Sequence, residues 1–305
     1  MHDAFYLSDV GLTIDAGERL TCVTYTGDVV LVGLASGKVV SFRVACSRGG
    51  ASGRVSHSSQ RQRVAELGVG RPVTAIEVAP ELGVVLALCD GAVVVLRLPG
   101  LERIPSVLEG RHAVAFALDA VAPRLVIATT GKKLKLFDWI GGKFVPLRGA
   151  TELDVPDVPR AVSFLRGSLL VALAREYNAI AADTGVVTDI AGAAIARDTR
   201  PLIKLLPGER ILLLCADDVG VAVGRDGMPA PGGPPVLQFN LRPTAAGYCF
   251  PYLVVLGEGK GGGGGRHRTL TLTTTQRTPT QLQLRPRTTK SVSPSIHPPV
   301  PPLRS

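Results

Sequence analysis

Six times along this chain a short apolar run meets a glycine-containing or acidic turn, and a second apolar run follows. The copies occupy residues 28–44, 83–99, 124–140, 168–185, 210–227 and a shorter stretch from 251, so their starts fall 55, 41, 44, 42 and 41 residues apart. A strand-built repeat at a spacing of about 40–45 residues is that of a β-propeller blade. The runs are too short for helices. Turn-forming residues such as Gly37, Asp90-Gly91, Gly131 and Asp217-Asp218 sit between them, where a tight hairpin needs an unusual backbone angle. A further strand precedes each pair, over 19–25, 72–78, 113–118, 160–165 and 202–206. A weaker one follows, over 64–67, 104–108, 144–147, 187–190 and 236–240. Four short strands make one blade.

Five complete repeats and half of a sixth fall short of the seven blades usual at this period. The expectation is therefore an all-β propeller over 1–256, about five and a half of seven blades, interrupted inside its last hairpin. After Leu256 the pattern stops. GEGKGGGGGR is a flexible spacer, and the Thr/Pro-rich remainder offers no core, so 257–305 reads as a disordered tail. Cys46 to Arg63, polar and without apolar period, reads as an exposed loop that lengthens the first repeat.

Hydrophobic residues make up 46% of the chain and aromatics 5%, so aliphatic side chains must fill the core. No apolar run approaches the roughly 18–20 residues that span a bilayer. The opening MHDAFYLSDV carries Asp3 and no basic stretch, unlike a secretory signal. Five cysteines, odd in number and without a CxxC pair, read as free thiols in a reducing compartment. The net charge of +9 is uneven: residues 257–305 hold eight Lys or Arg and one acid, leaving +2 for 1–256. Nucleic acid is therefore not the expected partner of the folded part.

Catalytic and metal signatures are missing. There is no GxSxG, no HExxH and no paired Cys/His cluster, and the five histidines are scattered. Gly33 to Val39 superficially fits a phosphate loop, but it is one residue short between the glycines and has Val39 where a hydroxyl must hold magnesium. Asp217, Asp218 and Asp226 suit turns as well as metal ligation. Residues 299–304 (PVPPLR) fit a polyproline ligand motif. Lys132, Lys133 and Lys135 alternate with Leu134 and Leu136. They are the candidate partner-binding residues, a basic stripe for a phosphoinositide or an acidic protein surface, set against the solvated face of a half-buried strand.

Several segments together resemble one family. MHDAF at the start, GRHAVAFAL at 110–118, KKLKLFDW at 132–139, VPDVP at 155–159, GSLLVALAREYNAI at 167–180 and PYLVVL at 251–256 follow the order of motifs in the citron-homology (CNH) domain of the Vam/Vps vacuolar-sorting family. Asp138-Trp139 stands in the reverse of the WD order, which separates the chain from WD-repeat propellers. The resemblance implies a non-enzymatic scaffold of a HOPS- or CORVET-type vesicle-tethering complex, with no cofactor and no metal. It implies a cytoplasmic protein, peripheral on late-endosome or vacuole (lysosome) membrane, acting in protein transport, membrane fusion and autophagy. The implied partners are a Rab-type small GTPase and the other tethering subunits. The alternative is a CNH interaction module of a Rho or Rab signalling regulator.

Overall fold

The computed structural model describes residues 10–48, 55–68, 70–105, 112–119, 122–149, 152–165, 168–190, 193–206, 210–224, 226, 228, 236–239, 241–249, 252–259, 268–274 and 282–283. The terminus MHDAF and the 299–304 polyproline motif lie outside them. The chain forms two compact units, 1–239 and 240–305.

The first unit holds five antiparallel sheets, each built in chain order. Blade 1 is β1 (Leu20–Thr26), β2 (Val29–Leu34), β3 (Lys38–Arg48) and β4 (Val55–Glu66). Blade 2 is β5 (Val73–Ala79), β6 (Val84–Cys89), β7 (Ala92–Arg97) and β8 (Glu102–Arg103). Blade 3 is β9 (Ala113–Asp119), β10 (Arg124–Thr129), β11 (Lys133–Ile140) and β12 (Lys143–Pro146), with β13 (Glu152–Asp154) added on β11. Blade 4 is β14 (Ala161–Phe164), β15 (Ser168–Ala172), β16 (Tyr177–Ala181) and β17 (Val187–Asp189). Blade 5 is β18 (Ile203–Leu206), β19 (Arg210–Ala216), β20 (Val219–Gly224) and β21 (Val236–Gln238).

The second strand of each blade explains why the repeat is visible at all. β6 is buried at every position, and β10, β15 and β19 nearly so. A strand covered on both faces loses its period-2 alternation and reads as a continuous aliphatic run. The clusters that cover these strands lie between successive blades. Leu31, Val39, Val73, Val85 and Leu96 join blades 1 and 2, and Leu86, Val95, Leu125, Ile127 and Phe137 join blades 2 and 3. Val126, Leu136, Leu169 and Val171 join blades 3 and 4, while Leu170, Tyr177, Ile211 and Leu213 join 4 and 5. Each fully buried aliphatic side chain contributes roughly 1.5–3 kcal/mol relative to exposure. Polar stitches add to this: Thr21 donates to the Val73 carbonyl at 2.6 Å, from blade 1 to blade 2. The turn between β6 and β7 has φ of 50° at Asp90 and 70° at Gly91, the pair of positive angles that a two-residue hairpin loop requires.

Three expectations change. Of the segment Cys46 to Arg63, residues 46–48 and 55–63 are strand rather than loop, and 49–54 lie outside the described residues: β3 runs to Arg48 and β4 begins at Val55, paired from Lys38↔Glu66 to Arg48↔Val55 with one register shift between Ser41 and Phe42. A ribbon with both faces in water needs no apolar alternation, so none marked it in the sequence. The fourth strand of blade 2 includes Glu102–Arg103, ahead of the expected 104–108, of which 104 and 105 are not strand and 106–108 lie outside the described residues. In the second unit, β22 (Leu241–Cys249) and β23 (Tyr252–Gly259) supply the half-blade, and β24 (Arg268–Thr274) and β25 (Leu282–Gln283) extend it to four strands. These last two lie inside the segment read as disordered. RTLTLTT alternates Leu with β-branched Thr, a pattern that pairs readily as a strand despite its low apolar content. The other residues of 260–305 lie outside the described set.

Candidate functional site

The basic stripe sits at the turn from β10 into β11. Lys132 occupies the turn with φ of 57°, and Thr129 closes it, its hydroxyl donating to the Lys133 carbonyl at 3.2 Å. Along β11, Leu134 and Leu136 are fully buried and belong to the cluster toward blade 4. Lys133 and Lys135, half-buried, take the other face, the one that Phe137 turns toward blade 2.

Acids meet this stripe. β13 lies antiparallel to β11 with Lys133 opposite Asp154 and Lys135 opposite Glu152. One Glu152 carboxylate bridges two ammonium groups, at 2.7 Å from Lys133 Nζ and 3.1 Å from Lys135 Nζ. The Lys133 hydrogen bond, followed by that from Lys135, holds the Glu152 carboxyl below the usual carboxylate range, and Glu152 in turn raises Lys133. Lys132 Nζ donates to the Pro156 carbonyl at 3.2 Å and lies 3.9 Å from Asp157. The three lysines do come together, but as a charge-balanced network rather than a bare cationic stripe. No spacing in the sequence announces that residues 152–157 fold back onto 132–135, so Glu152 and Asp157 escape a reading of the sequence alone.

Beside this network opens a cleft of 620 Å³, floored by Ile127 and Phe137 and edged by His112, Thr129, Lys133 and Lys135. An apolar floor with a few polar groups at the rim is the general make-up of a ligand-binding cleft. Other candidates have structural duties. Gly37, with φ of 90°, turns β2 into β3, and Lys38 pairs with Glu18 at 3.5 Å, so the phosphate-loop likeness is a hairpin. Asp226 accepts from the Met228 N–H at 3.0 Å, and Asp217 accepts from the Thr199 hydroxyl at 3.4 Å. Among the described residues no group of three or more His, Cys, Asp or Glu side chains could hold a metal ion, and no helix is long and apolar enough to cross a membrane.

Glu77 is a further titrating group that the sequence did not single out. It lies in β5, where burial pushes its carboxyl up to about 7. A hydrogen bond from the Leu118 backbone and the charge of Lys204 in β18 only partly offset that shift.

Repeated four-stranded antiparallel sheets, packed face to face through aliphatic clusters, define a β-propeller, a class of fold that presents loops and edges to partners. Within that class the chain belongs to the CNH-domain family, whose family model matches residues 28–259. Transforming growth factor-beta receptor-associated protein 1 of Bos taurus is 25% identical over 249 residues, 78% of this chain and 28% of that protein. Its Danio rerio homolog is 25% identical over 221 residues, 68% of this chain and 24% of that protein. The Vam6/Vps39-like protein of Homo sapiens is 23% identical over 249 residues, 75% of this chain and 26% of that protein. The chain thus spans about a quarter of the length of the curated relatives it matches. Among solved structures, the AfRom2 CNH domain superposes with a TM-score of 0.56 at 17% identity, covering 88% of this chain and 84% of that one, a likeness of fold.

Proposed function

We propose that this propeller is a non-enzymatic interaction scaffold of a HOPS/CORVET-type vesicle-tethering complex. Acting at the late-endosome and vacuole (lysosome) membrane, it contacts a Rab-type small GTPase and the other tethering subunits. The observation that carries the reading is the joint one: a CNH match over 28–259, together with curated relatives of the TGF-β-receptor-associated and Vam6/Vps39 types that align over 249 residues each. The physical support is a frame of interblade aliphatic clusters and a cleft with an apolar floor and a few polar groups at its rim. Association with the membrane is peripheral, through partners, with no cofactor and no nucleic acid. Lys132, Lys133 and Lys135, with the cleft beside them, are the candidate contact residues.

Isolation of a tagged chain from cells tests this. Tethering-complex subunits should co-purify, and the chain should enter a membrane fraction from which alkaline carbonate releases it. Recovery of the folded chain with no tethering subunit would overturn the reading.

A further inference from the structure

The first strands of the five blades touch in succession, β1 with β5, β5 with β9, β9 with β14 and β14 with β18, which makes them the innermost strands of this unit. Where three of them begin, a cleft of 480 Å³ opens. Val114 in β9, residues 158–160 ahead of β14 and residues 198–201 ahead of β18 line it, so three blades contribute to one site. It shares no lining residue with the Lys133 cleft. Val114, Val158 and Pro201, all half-buried, supply an apolar wall. The polar groups are Arg160, Asp198 and Arg200, which are exposed, and Thr199, which is buried.

The segments that carry the arginines are pinned through their backbones. The Arg160 N–H donates to the Ala172 carbonyl at 2.8 Å, the Thr199 N–H to the Ala196 carbonyl at 3.2 Å and the Leu202 N–H to the Tyr177 hydroxyl at 3.2 Å. Pro159 and Pro201 fix the chain beside each arginine. The side chains are not pinned: among the described residues neither guanidinium takes part in an ion pair or a hydrogen bond, in contrast to the lysines bridged by Glu152. Two blades thus bring one unmatched arginine each to one apolar-walled cleft. A guanidinium presents its N–H donors as a fork that fits the oxygens of a carboxylate or a phosphate. Asp198 at the rim, with Asp157 next to Val158 and Asp217 accepting from the Thr199 hydroxyl, opposes a phosphate-dense surface but leaves room for a single negative charge. The apolar wall favours an apolar neighbour to that charge. We propose that this cleft binds an acidic segment of a partner protein, with one carboxylate held by Arg160 and Arg200 and an adjacent apolar side chain laid on Val114, Val158 and Pro201. The site does not rest on the tethering reading.

The test is an array of synthetic nine-residue peptides, each with a central Glu between two apolar residues, probed with the fluorescently labelled full chain. Matched sets carry Gln or phosphoserine at the centre. Some Glu peptides should bind, and their Gln counterparts should bind at least about tenfold more weakly. A bound Glu peptide should slow amide exchange over residues 196–203. Arg160→Gln and Arg200→Gln should each weaken binding, and the double variant should abolish it with its circular dichroism unchanged, since both side chains are exposed. Arg97→Gln, on an exposed arginine that ends β7, should bind as the parent does. Absence of any bound Glu peptide, equal binding of the Gln set, or unaltered binding by the double variant would overturn the site. Preference for the phosphoserine set would overturn the carboxylate. Binding of phosphatidylserine vesicles that the double variant loses, with no peptide bound, would overturn the choice of a protein partner.

Discussion

Replacing Tyr177 by Phe removes one oxygen from the interface between blades 4 and 5. The ring is 1% exposed, and its hydroxyl donates to the Leu214 carbonyl at 2.8 Å and accepts from the Leu202 N–H at 3.2 Å. Burial holds this hydroxyl far above its ordinary pKa, so it stays protonated and keeps donating at any pH the fold tolerates. The Leu202 carbonyl keeps its bond from the Leu214 N–H at 3.1 Å, so the groups that lose a partner are the Leu214 carbonyl and the Leu202 N–H. Leaving a buried polar group unsatisfied costs about 1–3 kcal/mol, so a loss near 2–3 kcal/mol is expected, the ring itself leaving no cavity. At about 2–4 °C per kcal/mol for a unit of this size, the thermal midpoint should fall by about 5–10 °C. Urea unfolding should show a lower midpoint at unchanged slope. Tyr177→Ala, which also opens a cavity, should lose clearly more. A Phe variant as stable as the parent would refute the stitch, and equal losses for Phe and Ala would show that the hydroxyl carries everything.

Glu77, with a folded pKa near 7 against about 4.5 unfolded, holds more protons folded than unfolded between those values; stability should therefore fall as pH rises from 5 to 8, by about 1–3 kcal/mol, and Glu77→Gln should flatten that slope in denaturant titrations. Gly33→Ala places a methyl 2.5 Å from Cys22 Sγ and 2.9 Å from Val73 Cβ, so it should destabilise by about 1–3 kcal/mol; Cys22→Ala in the same chain should recover part of that loss, measured as a double-mutant cycle. Glu152→Gln breaks a bridge from an exposed carboxylate to two half-buried lysines and should leave the thermal midpoint within about 2 °C, a larger drop showing that the network supports the fold. Among Cys22, Cys46, Cys89 and Cys215, only Cys46 is exposed, while burial raises the other three thiols; mass spectrometry after brief native labelling should find Cys46 modified before those three.

What the sequence disclosed follows from burial. Runs such as VVLALC and RILLLCA are apolar throughout because interblade clusters cover both faces, and that is the feature which repeats. The first strands were legible to within a residue or two, since Val73 to Ala79 and Ala113 to Asp119 carry apolar residues that pack toward both neighbouring blades. The ribbon of β3 and β4 was not legible, because its pairs, Ser47 with Ser56 and Cys46 with His57, lie in water and leave no hydrophobic trace. β24 was hidden by its setting behind a glycine run, although its Leu/Thr alternation was there to be read. At the candidate site the lysines and their alternation were visible. Their neutralisation by Glu152 and Asp157 depends on a chain return of about twenty residues that only tertiary pairing decides.

Under the proposed function this propeller is a contact surface for a membrane-bound small GTPase. Biolayer interferometry with the immobilised full chain tests it, using endosomal and vacuolar Rab-type GTPases loaded in turn with GDP or a non-hydrolysable GTP analogue. The account predicts saturable binding of at least one GTPase in one nucleotide state and its loss in the other. Absence of binding in both states across the set, with circular dichroism showing the β-structure intact, would contradict it.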